Sequence, residues 1–200
     1  MSVETRRQRE RQERRRLIVD TARRIAQTEG WEAVTTRRLA NDIEYSQPVL
    51  YSHFTSKTAI MAAVAADGVT ELVHAIDEAA HAIEPADRID AVARAYLRYA
   101  ATHRAVYEAI FTPGIDSGDA HTARIRDALD AAATERDGAA LALWPLLHGI
   151  ASLAGDRHID YTDTDHARAV ASLLSGERAR TARLIVGGKL TRAKAKTPAQ

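Results

Sequence analysis

Apolar residues recur at three- and four-residue intervals along most of this chain and almost nowhere alternate strictly, so the pattern predicts helices rather than strands. Leu17, Ile18, Thr21, Ala22, Ile25 and Ala26 share one face of a first helix. Gly30 is suited to end it as a C′ glycine, and Trp31 then closes a small core. Residues 37–43 form a short second helix, capped by Thr35 or Thr36, with Leu39, Ala40 and Ile43 inward. A tight polar turn (Glu44, Tyr45, Ser46) leads to a very short third helix, with Ser46 as its cap. Pro48 falls in the first turn of that helix, where a missing N–H costs little. Ser56 caps a long fourth helix over 57–82 that only Gly68 interrupts. Ile89, Val92, Ala93, Tyr96, Leu97 and Ala100 mark a fifth helix, and Val106, Tyr107, Ile110 and Phe111 a short sixth. Residues 120–136, 139–154 and 165–186 read as three more.

The expectation is an all-α chain of about nine helices. An N-terminal three-helix helix-turn-helix DNA-binding domain (13–57) precedes a larger helical domain (58–186). Residues 1–12 read as a disordered or extended basic arm or, since Arg, Gln and Glu are good helix formers, as an extension of the first helix without an apolar stripe, and 187–200 read as a disordered basic tail.

Composition narrows the class. Apolar residues make up 46% and charged residues 28%, as in a soluble globular chain. Cysteine is absent, which excludes a disulfide scaffold, a Cys-ligated zinc site and a thiol nucleophile. No apolar run approaches the roughly 20 residues of a membrane span, and the charged N-terminus lacks an apolar h-region. The expectation is therefore a cytoplasmic protein with no membrane partner. The net charge of +1 conceals an asymmetry. Residues 1–60 carry 12 Lys and Arg against 8 Asp and Glu, a net +4. Residues 61–176 carry 9 against 18, a net −9, and residues 177–200 carry 7 against 1, a net +6. A basic head on an acidic body suggests a polyanion partner for the head alone.

Residues 14–60 resemble the DNA-binding domain of the TetR family of transcriptional regulators. The resemblance rests on the apolar first helix, Thr36 ahead of Leu39 and Ala40, Ser46, Leu50-Tyr51, His53-Phe54 and Ser56-Lys57. The strings AVARAYLRYAATHRAVYEAIF (91–111) and WPLLHG (144–149) resemble the family's subgroup with a WHG-type C-terminal domain. Where the family often has Gly-Val in the turn, this chain has Glu44-Tyr45. Where it often has Gly-Thr in the recognition helix, this chain has Pro48-Val49.

The resemblance implies that Thr36 meets one phosphate and that Tyr51 and Lys57 meet others. Base reading then falls to Tyr45, Gln47, Pro48 and Val49 beside Ser46. Gln suits adenine N6/N7, and Val or Pro suits a thymine methyl. Arg37 or Arg38 is a candidate guanine contact, and His53 a candidate phosphate contact. The basic arm (Arg6, Arg7, Arg9, Arg11) can lie along a minor groove. The resemblance also implies a homodimer on a pseudo-palindromic operator, built by the last two helices. Leu143, Leu147, Ile150, Val170, Leu174 and Ala182 are the candidate interface residues. In the body, His74, Tyr96, Tyr99, Tyr107, Phe111, Trp144 and His148 mix apolar rings with polar tips, which suits an unidentified amphipathic small-molecule effector.

The function expected is a DNA-binding transcriptional regulator, a repressor that the effector releases from its operator. A transcriptional activator, or a ligand-independent helical dimerisation and interaction protein, is the alternative. Neither a cofactor nor a metal is expected. Asp156, His158, Asp160, Asp163, Asp165 and His166 crowd one loop, but their spacing matches no metal-site motif. No HExxH, GxSxG, Walker or Rossmann pattern occurs, so no enzyme is expected.

Overall fold

The computed structural model describes residues 3–83, 88–115, 118–133 and 139–155. The described residues form eight α-helices and no strand. They are α1 (Val3–Glu29), α2 (Thr36–Asp42), α3 (Gln47–His53), α4 (Lys57–His81), α5 (Arg88–Thr102), α6 (Arg104–Phe111), α7 (Gly118–Ala132) and α8 (Ala139–Gly155). A single 3-10 turn, Trp31–Ala33, links α1 to α2. The ninth helix, the basic tail, the Asp/His loop, Val170, Leu174 and Ala182 lie outside the described residues.

Local chemistry explains the boundaries. Gly30 has φ +83°, the left-handed conformation that ends α1. The Thr35 hydroxyl accepts from the Arg38 N–H at 3.1 Å and caps α2. The Ser56 hydroxyl accepts from the Ala59 N–H at 3.1 Å and caps α4. Ser46 occupies the N-cap of α3, but its hydroxyl makes no capping bond.

The N-terminal arm takes the helical one of its expected forms. Residues 3–12 are neither disordered nor extended; they belong to α1. Arg, Gln and Glu are good helix formers, and Arg6 and Arg14 both reach Glu10 at 3.8 Å, one turn away on either side. Leu17, read as inward, is exposed; the buried stripe begins at Ile18 and continues through Val19, Ala22, Ile25 and Ala26.

Two layers result. α1, α2 and α3 pack around Ile18, Ile25, Leu39, Leu50 and Phe54 as a small head. α4 leaves the head and becomes the central post of the body, in contact with α1, α5, α6 and α7. By length and composition α4 could cross a membrane, contrary to the expectation that no segment approaches that size. Its apolar face is instead spent inside the fold, where Ile60, Val64, Val69, Leu72 and Ile76 are buried. Gly68 lies where α4 crosses α6. A Cβ there would sit 2.2 Å from Val106 Cγ1, so only glycine permits this approach.

Candidate functional site

Three parts of the molecule bear on function: the outer face of α3, the junction between head and body, and a cleft beside α6.

The turn between α2 and α3 places Glu44 at φ +58°, a left-handed position that glycine fills without strain. The Tyr45 N–H donates to Ala40 O at 2.9 Å, which closes the end of α2 and sets the angle of α3. Leu50 and Phe54 anchor α3 in the head core. Its other face projects Ser46, Gln47, Pro48 and Tyr51 into solvent, with Tyr51 51% exposed. Arg37 is exposed next to them, and Thr36, Val49 and Lys57 are half-buried at the rim. The Arg15 guanidinium stacks 4.2 Å from the Phe54 ring centroid and donates to His53 O at 3.3 Å. Burial first, and then Arg11, Arg14 and Arg15, hold the His53 imidazole below its ordinary pKa.

The junction is a connected polar network. Arg23 of α1 makes a bidentate pair with Glu71 of α4 at 2.5 and 2.7 Å. That hydrogen bond is the main reason the Glu71 carboxyl is held below its usual range. The Tyr99 hydroxyl lies 3.0 Å from Glu71 Oε2 and 3.1 Å from Gly68 O, sharing one proton between two acceptors. Burial, reinforced by Glu71, pushes the Tyr99 phenol upward and keeps it neutral. Gln27 donates to Thr102 O at 2.9 Å and accepts from the Ala105 N–H at 3.2 Å. The Trp31 indole N–H donates to Ala105 O at 2.8 Å.

A cleft of about 360 Å³ opens on the other side of α6, between α5, α6 and α8. Arg104, Tyr107, Glu108, Phe111 and His148 line it. Beneath it the Tyr107 hydroxyl lies 3.0 Å from the Tyr96 hydroxyl and 2.8 Å from His148 Nδ1. Burial pushes the His148 imidazole below its ordinary pKa, which favours the neutral ring at the Tyr107 hydroxyl. Phe111 packs 4.3 Å from the His148 ring and Trp144 stacks on it at 5.6 Å. The buried Trp144 indole N–H has no hydrogen-bond partner among the described residues. A second, larger groove of about 610 Å³ runs between α1 and α4, but its charged walls (Arg16, Asp20, Arg23, Asp67, Glu71) include the junction pair.

Two family models match the sequence. "Bacterial regulatory proteins, tetR family" covers residues 18–64, and "Tetracyclin repressor-like, C-terminal domain" covers 89–176. Together they span most of the chain, one on the head and the other on the body. The chain belongs to the TetR family. It is a transcriptional regulator with a helix-turn-helix DNA-binding domain. Solved structures share the fold. A protein of unknown function from Rhodococcus sp. RHA1 is 24% identical, with TM-score 0.67 over 80% of this chain and 92% of that one. The TetR family transcriptional regulator PfmR from Thermus thermophilus is 20% identical, with TM-score 0.60 over 78% and 92%. AibR, solved in complex with isovaleryl coenzyme A and operator DNA, is 17% identical, with TM-score 0.59 over 80% and 97%. No curated protein matches the sequence.

Within this TetR-family fold the expected site residues divide. On the head, Ser46, Gln47, Pro48, Tyr51 and Arg37 share the open face. Arg38 does not join them: it pairs with Glu29 at 2.9 Å and Asp42 at 3.1 Å, so a guanine contact would require breaking both. Tyr45 is half-buried against the head core. In the body, Tyr96, Tyr107, Phe111, Trp144 and His148 come together. Tyr99 belongs to the junction instead, on the face of α5 turned toward Glu71. His74 is on the outer face of α4 and pairs only with Glu78, one turn away. Leu143 and Leu147, read as dimer contacts, are fully buried in the chain's own core because that face of α8 packs on α5 and α7. Ile150 is half-buried on a different side, near the exposed Leu153.

The sequence reading missed Arg23, Gln27, Glu71 and His103 at the junction, where His103 Nδ1 lies 3.4 Å from the Arg23 guanidinium, and Arg104 and Glu108 at the cleft. Trp31 and Gly68 were the available signals: a large aromatic just beyond a helix stop, and a lone glycine inside a helix, each of which needs a packing reason.

Proposed function

We propose that the protein is a dimeric repressor, acting in the cytoplasm, that binds a pseudo-palindromic operator and is released by a small organic effector held in the α5–α6–α8 cleft. The observation that carries this reading is the outer face of α3. Gln47 and Tyr51 make no side-chain hydrogen bond among the described residues, while Leu50 and Phe54 fix the helix beneath them. Side chains held rigidly but left unpartnered are ready to meet base edges and phosphates. In this reading Gln47, Pro48 and Val49 face bases, Thr36, Tyr51 and Lys57 face phosphates, and Arg37 is the free arginine of α2. Residues 13–57 are the reading head and 58–186 the regulatory body.

One head offers too few contacts for tight specific binding, so two heads related by a two-fold axis are required. Leu153, 49% exposed, and the half-buried Leu146 and Ile150 supply an apolar side of α8 for that pairing. Effector release is supported by the construction of α6. This eight-residue helix carries Tyr107 and Phe111 on the cleft, and its Ala105 holds Gln27 and Trp31 of the head. A ligand that shifts α6 therefore pulls directly on α1. It releases DNA only if it binds the displaced arrangement more tightly.

Selection of bound sequences from random duplex DNA tests the reading. An enriched inverted repeat is the expected result. Retention of all sequences alike, or of none, would remove it.

A further inference from the structure

We propose that the helical N-terminal extension of α1 (residues 3–16) is a second DNA-contacting element, which grips phosphates beside the groove that α3 enters. The inference rests on the DNA-binding reading above and adds a surface that reading does not use.

The extension carries seven arginines against three glutamates and no apolar stripe. Residues 4–17 are all exposed, so no burial holds the segment in helical form. The segment is held by continuity with the packed part of α1 and by contacts of its charged side chains, which is marginal support in water. Arg6 and Arg7 fall near its start, where the helix dipole disfavours cations. An anionic partner would relieve both penalties.

The direction of the extension says where that partner lies. The core stripe of α1 continues toward the N-terminus as Arg15 and Arg11, and both guanidinium groups turn onto the end of α3. Arg15 donates to His53 O, and Arg11 approaches Ser52 O at 3.5 Å. Those last carbonyls are the negative end of the α3 dipole, so the two arginines fasten the extension against the recognition helix. Arg14 lies within electrostatic reach of His53, and Arg7 sits two turns further out on the same row as Arg14. The segment spans roughly 21 Å at about 1.5 Å per residue. DNA presents about one charge per 1.7 Å of axis, so a helix of that length passes several phosphates. Being helical, it acts as a bar laid against the backbone and not as a strand threaded into the minor groove.

The test compares the full-length protein with Arg7→Gln/Arg14→Gln and with Glu13→Lys, on a duplex enriched by selection. Gln preserves helix propensity, and Glu13 is exposed. Binding is measured against salt concentration. Each neutralised phosphate contributes about 0.9 to the log–log slope. With two heads, the double variant should lower the slope by about two or more, weaken binding at least roughly tenfold, and leave the preferred sequence unchanged. Glu13→Lys should steepen the slope, a gain that misfolding cannot produce. Ethylation interference should show phosphates adjoining each half-site that matter to the wild type and not to the double variant. Unchanged slopes in both variants would overturn the inference while leaving the regulator reading intact. If the wild type binds no duplex at all, the regulator reading falls and takes this inference with it.

Discussion

The outer face of α3 and the head–body junction are built on opposite principles. On the outer face of α3, Gln47, Pro48 and Tyr51 are exposed, and Gln47 and Tyr51 make no side-chain hydrogen bond among the described residues, while the core beneath holds the helix in place. At the junction almost every polar group is paired: Arg23 with Glu71, Tyr99 with Glu71 and Gly68, Gln27 with both Thr102 and Ala105, Trp31 with Ala105. Substitutions on the first surface should alter binding with little effect on stability. Substitutions at the second should alter stability and the position of the head, without touching DNA.

Five substitutions or titrations can break or sharpen that contrast. Phe54→Ala should be the most damaging, because it empties the head core under α3 and removes the ring on which Arg15 stacks. A loss of about 3–5 kcal/mol is expected in chemical denaturation, enough to unfold a small head. Gly68→Val should cost roughly 1–3 kcal/mol by forcing α4 away from Val106, and should change operator affinity although the site is remote from DNA. Glu71→Ala strands the Arg23 guanidinium, while the Tyr99 hydroxyl keeps Gly68 O as its acceptor. A cost of about 1–2 kcal/mol is expected, at the lower end because water still reaches the pair.

Acid should act more gently. Burial holds His103 and His148 below the ordinary histidine pKa of about 6.5, so the unfolded chain binds protons more readily. Their contribution is complete above that value and is lost as pH falls through the depressed folded values. The melting temperature should therefore decline on acidification from pH 7, and His148→Asn, which offers the Tyr107 hydroxyl both a donor and an acceptor, should flatten part of the decline. Smallest of all, Glu44→Gly should raise stability by up to about 1 kcal/mol, because the turn residue already sits in the left-handed region.

The head was legible in the sequence and the junction was not, for a physical reason. The caps at Thr35 and Ser56, the stop at Gly30 and the inward set Leu39, Ala40, Ile43 and Leu50 act over three or four residues, so local spacing reveals them. Arg23 and Glu71 are 48 residues apart, and Trp31 and Ala105 are 74 apart. Only the folded α4 and α6 bring them together, and no periodicity encodes such pairs. The cleft lies between these cases. Tyr96, Tyr107, Phe111, Trp144 and His148 were visible as aromatics with polar tips, but helix rotation decides which rings converge. It sends Tyr99 to the junction and His74 to solvent. The arm stayed open between helix and extended chain, because the absence of an apolar stripe argues against a packed helix but not against a charged one continuing from a packed segment. Leu143 and Leu147 show a related ambiguity, since the stripe that faces a chain's own core has the same spacing as one that faces a second copy.

The central claim is that the unpartnered face of α3 reads base sequence. Anisotropy titration of the selected duplex with the wild type and with Gln47→Ala tests it most directly, alongside thermal melting of both proteins. The expected result is melting within about 0.5 kcal/mol of the wild type and binding weaker by about 1–3 kcal/mol, with relaxed preference at one position of each half-site. Equal affinity and unchanged preference in the two proteins would contradict it.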